Sequence, residues 1–112
     1  MPARNETMAA LDSSIEKWRK LSMGEGEDMG VDNCALCQLF WDEGCLECPV
    51  CEYSGFPGCE GTPYMGWFHS HNDEFPLTVR NEEDRRSARK EYRFLLRVRN
   101  RHMEEANGQG NN

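Results

Sequence analysis

The residues best equipped for chemistry are six cysteines between positions 34 and 59, and the chain has no other cysteine. They run Cys34-Ala-Leu-Cys37, then Cys45-Leu-Glu-Cys48-Pro-Val-Cys51, then Cys59. A Cys-x-x-Cys step lets a tight turn aim two sulfurs at one point, the way a tetrahedral zinc ion is gripped from two sides. Cys34/Cys37 is one such pair and Cys45/Cys48 is the natural second; Cys48/Cys51 offers another register, and Cys59 is also within reach. Four thiolates leave no open position for water, so the ion is expected to be structural rather than catalytic. An iron–sulfur cluster, disulfides or free thiols are the other uses of such spacing. A two-ion arrangement would recruit His69 and His71 as well.

A second chemistry lies in charge. Residues 1–84 carry 5 Lys/Arg against 17 Asp/Glu, a net −12, whereas residues 85–101 carry 8 Lys/Arg against the single Glu91, a net +7. The whole chain is acidic at −7, which argues against general nucleic-acid binding because phosphates repel it. The basic block confines that possibility to one segment. Arg outnumbers Lys seven to one there, which favours bidentate contacts to carboxylate or phosphate. Three uses of the block are open: a solvated face, a contact with the acidic 1–84 portion or another acidic protein, or a grip on nucleic-acid phosphates. There is no phosphate-cradling Gly loop, no Gly-x-Ser-x-Gly elbow and no His-Glu-x-x-His.

The string Ser14-Ile-Glu-Lys-Trp18, Asp32-Asn-Cys-Ala-Leu-Cys-Gln-Leu-Phe40, Gly44-Cys-x-x-Cys-Pro-Val50, Ser54-Gly55 and Cys59-Glu-Gly-Thr-Pro-Tyr64 resembles a family of small uncharacterised Cys-rich proteins of tailed bacteriophages and prophages. The resemblance covers about residues 10–68. It implies a cytoplasmic, metal-binding protein without an assigned activity. In that family's pattern Cys34, Cys37, Cys45, Cys48 and Cys59 recur and Cys51 is an addition, so four of those five are the implied ligands and Cys51 is the weaker candidate. Separately, Gly66-Trp-Phe-His-Ser-His71 is similar to the zinc stretch of JAMM-type metalloproteases, which use His-x-His and a downstream Asp with an upstream Glu as base. Over six residues this implies a metal-dependent hydrolase built on His69 and His71. Asn72 stands where that family has Pro, Glu82 and Asp84 lie where the Asp should fall, and the upstream cysteine segment lacks the frame that carries the base.

The elements that must position these groups follow from periodicity. The chain of 112 residues reads as one domain, with only 38% hydrophobic residues, so a small core needs a staple. Residues 1–6 are expected to be disordered. Residues 7–22 read as an amphipathic helix with Met8, Leu11, Ile15 and Trp18 on one stripe, although Ser13-x-x-Glu16 offers a later start. An acidic Gly-rich linker, 23–30, ends it and is expected to be solvated. Residues 31–64 form the cysteine module, whose glycines and prolines predict turns, short strands and one helical turn near 36–41. Residues 65–80 read as an aromatic connector. A basic amphipathic helix spans 81–105 with Asn81 as N-cap, its apolar side holding Ala88, Tyr92, Phe94, Leu95 and Val98. Arg86, Arg89, Lys90, Arg93, Arg97 and Arg101 form the opposite, interaction face, and Glu91 sits unexplained on the apolar side. The tail 106–112 is expected to be disordered.

The expected architecture is therefore small α plus irregular: two amphipathic helices packed on a zinc-knuckle-like, strand-poor module. Met8, Leu11, Ile15, Trp18, Phe40, Trp41, Phe56, Tyr64, Trp67, Tyr92 and Leu95 should form the core. No apolar leader or membrane-spanning stretch is present, which points to the cytoplasm, that of the host if the chain is phage-encoded. The expected function is a non-enzymatic, zinc-stabilised interaction module that binds a host or phage protein. The alternative is a nucleic-acid accessory protein working through 85–101.

Overall fold

In the computed structural model, the first helix, α1, spans Arg4–Ser22. Thr7, Leu11, Ser14, Trp18 and Leu21 recur at steps of three and four and are all buried. Ser13 falls mid-helix, so the capping-box start is not used. Gly24, at φ +83°, closes the helix: Glu25 N–H donates to Lys20 O at 2.8 Å and Gly24 N–H to Leu21 O at 3.0 Å. This paired pattern needs a left-handed residue, which Gly adopts without steric cost. The structure describes residues 4–40, 48–55, 59, 61–72 and 74–110. The expectations that fall on Trp41, Cys45 and Phe56 lie outside them.

A 3₁₀ turn at Gly30–Asn33 leads into α2, Ala35–Phe40. Helix α3 spans Pro49–Ser54 and α4 spans Pro63–Ser70. The β content among the described residues is one antiparallel bridge between Asp28 and Leu77. Among the described residues of the module, the expectation of short strands is thus corrected to helices, and the aromatic connector is in part α4. The reason is positional. Pro49 and Pro63 occupy the first turn of a helix, where the missing N–H costs nothing, and Gly55 ends α3 at φ +81°. Residues counted as helix breakers stand where helices begin and end.

Helix α5 spans Glu82–Gly110. Asn81 caps it, its Oδ1 accepting from Asp84 N–H at 2.9 Å, and Glu82, Glu83 and Asp84 occupy the positive end of the helix dipole. The backbone of 106–110 continues the helix rather than forming a disordered tail, and α1 begins three residues before the expected start.

Helix α5 is the spine: α1, α3 and α4 pack on it, and α2 packs on α1. The core contains Leu11, Trp18, Leu21, Leu36, Trp67, Leu77, Ala88, Leu95 and Val98, with Phe40, Val50 and Phe94 also buried. Met8, Ile15, Tyr64 and Tyr92, expected in the core, are only partly buried against it. Trp18 meets Trp67 edge-on at 5.2 Å and Tyr64 edge-on at 5.9 Å, so the aromatic residues lock α1 to α4.

The acidic linker is not wholly solvated. Asp28 is fully buried, and its carboxylate accepts from Lys17 Nζ at 2.7 Å, Gly30 N–H at 2.9 Å and Trp67 Nε1–H at 3.1 Å. Its backbone pairs with Leu77 in both directions, at 2.8 and 2.9 Å. Burying a carboxylate is costly unless it is paired and hydrogen-bonded, and here every donor comes from a different element. Asp28 therefore ties α1, α4 and the segment before α5 together.

Candidate functional site

Cys34 sits at the head of α2. Cys37 N–H donates to its Sγ at 3.2 Å, and Gln38 N–H donates to its carbonyl at 3.0 Å. The Cys37 thiol hydrogen bond, aided by that backbone N–H and by nearby Lys17, carries the Cys34 thiol down to about 7 against the opposing effect of burial. Cys48 is the residue before α3, buried, with extended backbone. The Cys59 carbonyl oxygen accepts from Thr62 Oγ1–H at 2.6 Å and Thr62 N–H at 3.3 Å, the turn that leads into α4. Three separate turns before three helices, with the first turn of α2, thus carry the cysteines.

Cys34, Cys37, Cys48 and Cys59 line one cavity of about 490 Å³. Of the expected ligands, four are brought to one place, and Cys45 lies outside the described residues. Cys51, one turn into α3, is half-buried and does not line the cavity. The donors suit zinc in kind, being thiols from three segments facing one space. Among the described residues, no three Cys, His, Asp or Glu side chains are grouped closely enough to hold one ion.

The rest of the cavity wall was not legible in the sequence. Lys17, Asp28, Tyr64, Phe68, Phe75 and Glu91 contribute to it. Tyr64 stacks on Phe68 at 5.9 Å, and Phe68 meets Phe75 at 5.6 Å. Burial, with Asp28 beside it, pushes the Tyr64 hydroxyl well above its ordinary range. Glu91, the residue without a role on the apolar side of α5, is 5% exposed and faces this space. Burial, reinforced by Cys34, pushes its carboxyl up to about 8. Its Oε1 and the Oγ of Ser14 have no hydrogen-bond partner among the described residues. A buried polar atom left so costs about 1–3 kcal/mol.

No family model, curated protein or solved structure matches this chain. The reading of the site rests on its own geometry.

The His-Ser-His segment is built differently from a metal pair. His71 is buried, with Nδ1 2.8 Å from Trp67 O and Nε2 2.8 Å from Thr78 O. Asp84 lies 3.5 Å from Nε2 but accepts from Arg80 Nε at 2.7 Å and Arg80 N–H at 2.9 Å. His69 is exposed at the end of α4. His71 therefore serves as a brace between α4 and the segment that enters α5.

On α5, Arg86, Lys90, Arg93, Arg97 and Arg101 are exposed along one face, and Arg89 is half-buried. Arg97 lies over the Phe94 ring at 5.8 Å. Arg99, outside that face, pairs with Asp12 at 2.7 Å and clips α5 to α1. Among the described residues, no helix is long and apolar enough to cross a membrane.

Proposed function

We propose that the protein is a non-enzymatic, zinc-stabilised interaction module that presents the basic face of α5 to a host or phage protein. The observation that carries this reading is the shared cavity of Cys34, Cys37, Cys48 and Cys59, cysteines from three separate segments that face one space. Zinc bound there would hold α2, α3 and the turn into α4 together, which a small polar chain needs. The phage-family resemblance is the ground for the phage or prophage origin. The exposed Arg-rich face on an otherwise acidic body supports a partner that is itself acidic. The same face supports a second reading, an accessory protein that grips nucleic-acid phosphates.

Metal analysis of the purified full chain tests the first part. The expected result is one zinc per chain, lost on Cys34→Ser, Cys48→Ser or Cys59→Ser and kept on Cys51→Ser. A zinc-free chain of unchanged thermal stability would overturn it. Capture of partners from host lysate, with and without nuclease, separates the two surface readings. A protein partner survives nuclease, whereas phosphate binding is lost with it and weakens steeply with salt.

A further inference from the structure

The cavity has features that a structural zinc does not use. Ser14 Oγ on α1 and Glu91 Oε1 on α5 are unpartnered among the described residues, each residue is 5% exposed, and both line the cavity. Around them the wall is chiefly apolar and aromatic: Trp18, Tyr64, Phe68, Leu36, Val50 and Leu95. At about 490 Å³ the space falls within the range of small-molecule sites, on the order of 300–1,000 Å³. Phe75, 45% exposed, stands at the rim with half-buried Met29 and Gly30.

We propose that this cavity binds a small organic ammonium ion with an apolar body, its cationic head on Glu91 and its body against Trp18, Tyr64 and Phe68. Among the described residues the lining carries three carboxyl groups, Asp28, the exposed Asp32 and Glu91, against the single ammonium of Lys17, which Asp28 already engages. Once Glu91 is ionised, a cation beside it restores that balance. Among the described residues Glu91 is not grouped with two other ligand side chains, whereas an ammonium needs only one carboxylate and the faces of aromatic rings. Lys17 Nζ already lies 5.3 Å from the centre of the Trp18 ring, so this wall is one on which an ammonium rests. Ser14 Oγ supplies a second acceptor for the head group. The inference goes beyond the zinc reading and stands without it.

The test is calorimetric titration of the full chain at about pH 9, above the Glu91 value and below that of an alkylammonium, with hexylammonium and with its neutral counterpart, 1-hexanol. Saturable hexylammonium binding is expected, with hexanol at least tenfold weaker. Glu91→Gln, which keeps the shape and removes the charge, should weaken hexylammonium at least tenfold and leave hexanol unchanged. On the unaltered protein, proton nuclear Overhauser contacts should join the hexyl chain to the Trp18 and Tyr64 rings, a readout that needs no variant to fold. No saturable binding, equal affinity for the alcohol, an unaffected Glu91→Gln variant, or absent ring contacts would each overturn the proposal.

Discussion

Replacing Asp28 by alanine should be among the most damaging single changes in the chain, and its size can be worked from the structure. Asp28 is 0% exposed and accepts from Lys17, Gly30 and Trp67. Removing one member of a buried ion pair costs about 3–5 kcal/mol, because the other charge stays buried without compensation. Lys17 keeps a partial outlet, since its Nζ also donates to Asn33 Oδ1 at 3.0 Å and its side chain is 13% exposed. That places the ion-pair loss near the lower limit, about 3 kcal/mol. The unpartnered Trp67 indole N–H adds about 1 kcal/mol. The sum, about 4 kcal/mol, is a large part of the 5–15 kcal/mol that stabilises an ordinary domain. Urea unfolding followed by tryptophan fluorescence reads it directly, because Trp18 and Trp67 are both in the core. With a slope of about 1.5 kcal/mol/M, the midpoint should fall by about 2.7 M. Asp32→Ala, at an exposed carboxylate four residues on, is the control and should change stability by no more than about 0.5 kcal/mol. A loss below about 1 kcal/mol for Asp28→Ala, or one equal to the control, would refute the view that this carboxylate holds three elements together.

Gly30→Ala should destabilise by about 1–3 kcal/mol in thermal denaturation, because φ is +62° and a Cβ would stand 2.8 Å from Phe75 Cζ; Phe75→Ala in the same chain should recover the part due to the clash. Asp84 is held below the usual carboxylate range chiefly by the Arg80 guanidinium, so its contribution is present above the unfolded carboxylate value, about 3.9, and is lost as pH falls through its lower folded value. Asp84→Asn should therefore lower the urea midpoint at pH 7 and flatten its decline below about pH 4, and an unchanged acid limb would count against the Arg80–Asp84–His71 brace. Arg93→Glu with Arg97→Glu should leave stability within about 1 kcal/mol yet abolish partner capture, since both residues are exposed; capture that persists would move the interaction face elsewhere.

The two long helices were legible because each writes its buried stripe into the sequence at helical spacing: Leu11, Trp18 and Leu21 in α1, and Ala88, Leu95 and Val98 in α5. The Asn81 cap and the acidic first turn of α5 were legible for the same reason, being local. Helix α2 was legible only as a single helical turn near 36–41, and α3 and α4 were not, because six to eight residues give too few turns for a period. In sequence Pro49 and Pro63 read as breaks, although proline in the first helical turn is a start signal.

Cysteine type and spacing determined by themselves that a metal-like centre was the first chemistry to consider, and they made Cys51 the weaker ligand only by way of a family pattern. Which cysteines share a space is a tertiary matter: the turns before α2, α3 and α4, with the first turn of α2, place Cys34, Cys37, Cys48 and Cys59 on one cavity and leave Cys51 off it. The same holds for the two carboxylates that looked wrong in one dimension. Asp28 read as part of a solvated linker and Glu91 as a charge misplaced on an apolar stripe. Burial depends on what the rest of the chain brings against a residue, and that is not local. Only when α1, α4 and α5 close on one another does Asp28 gain its donors and Glu91 its cavity.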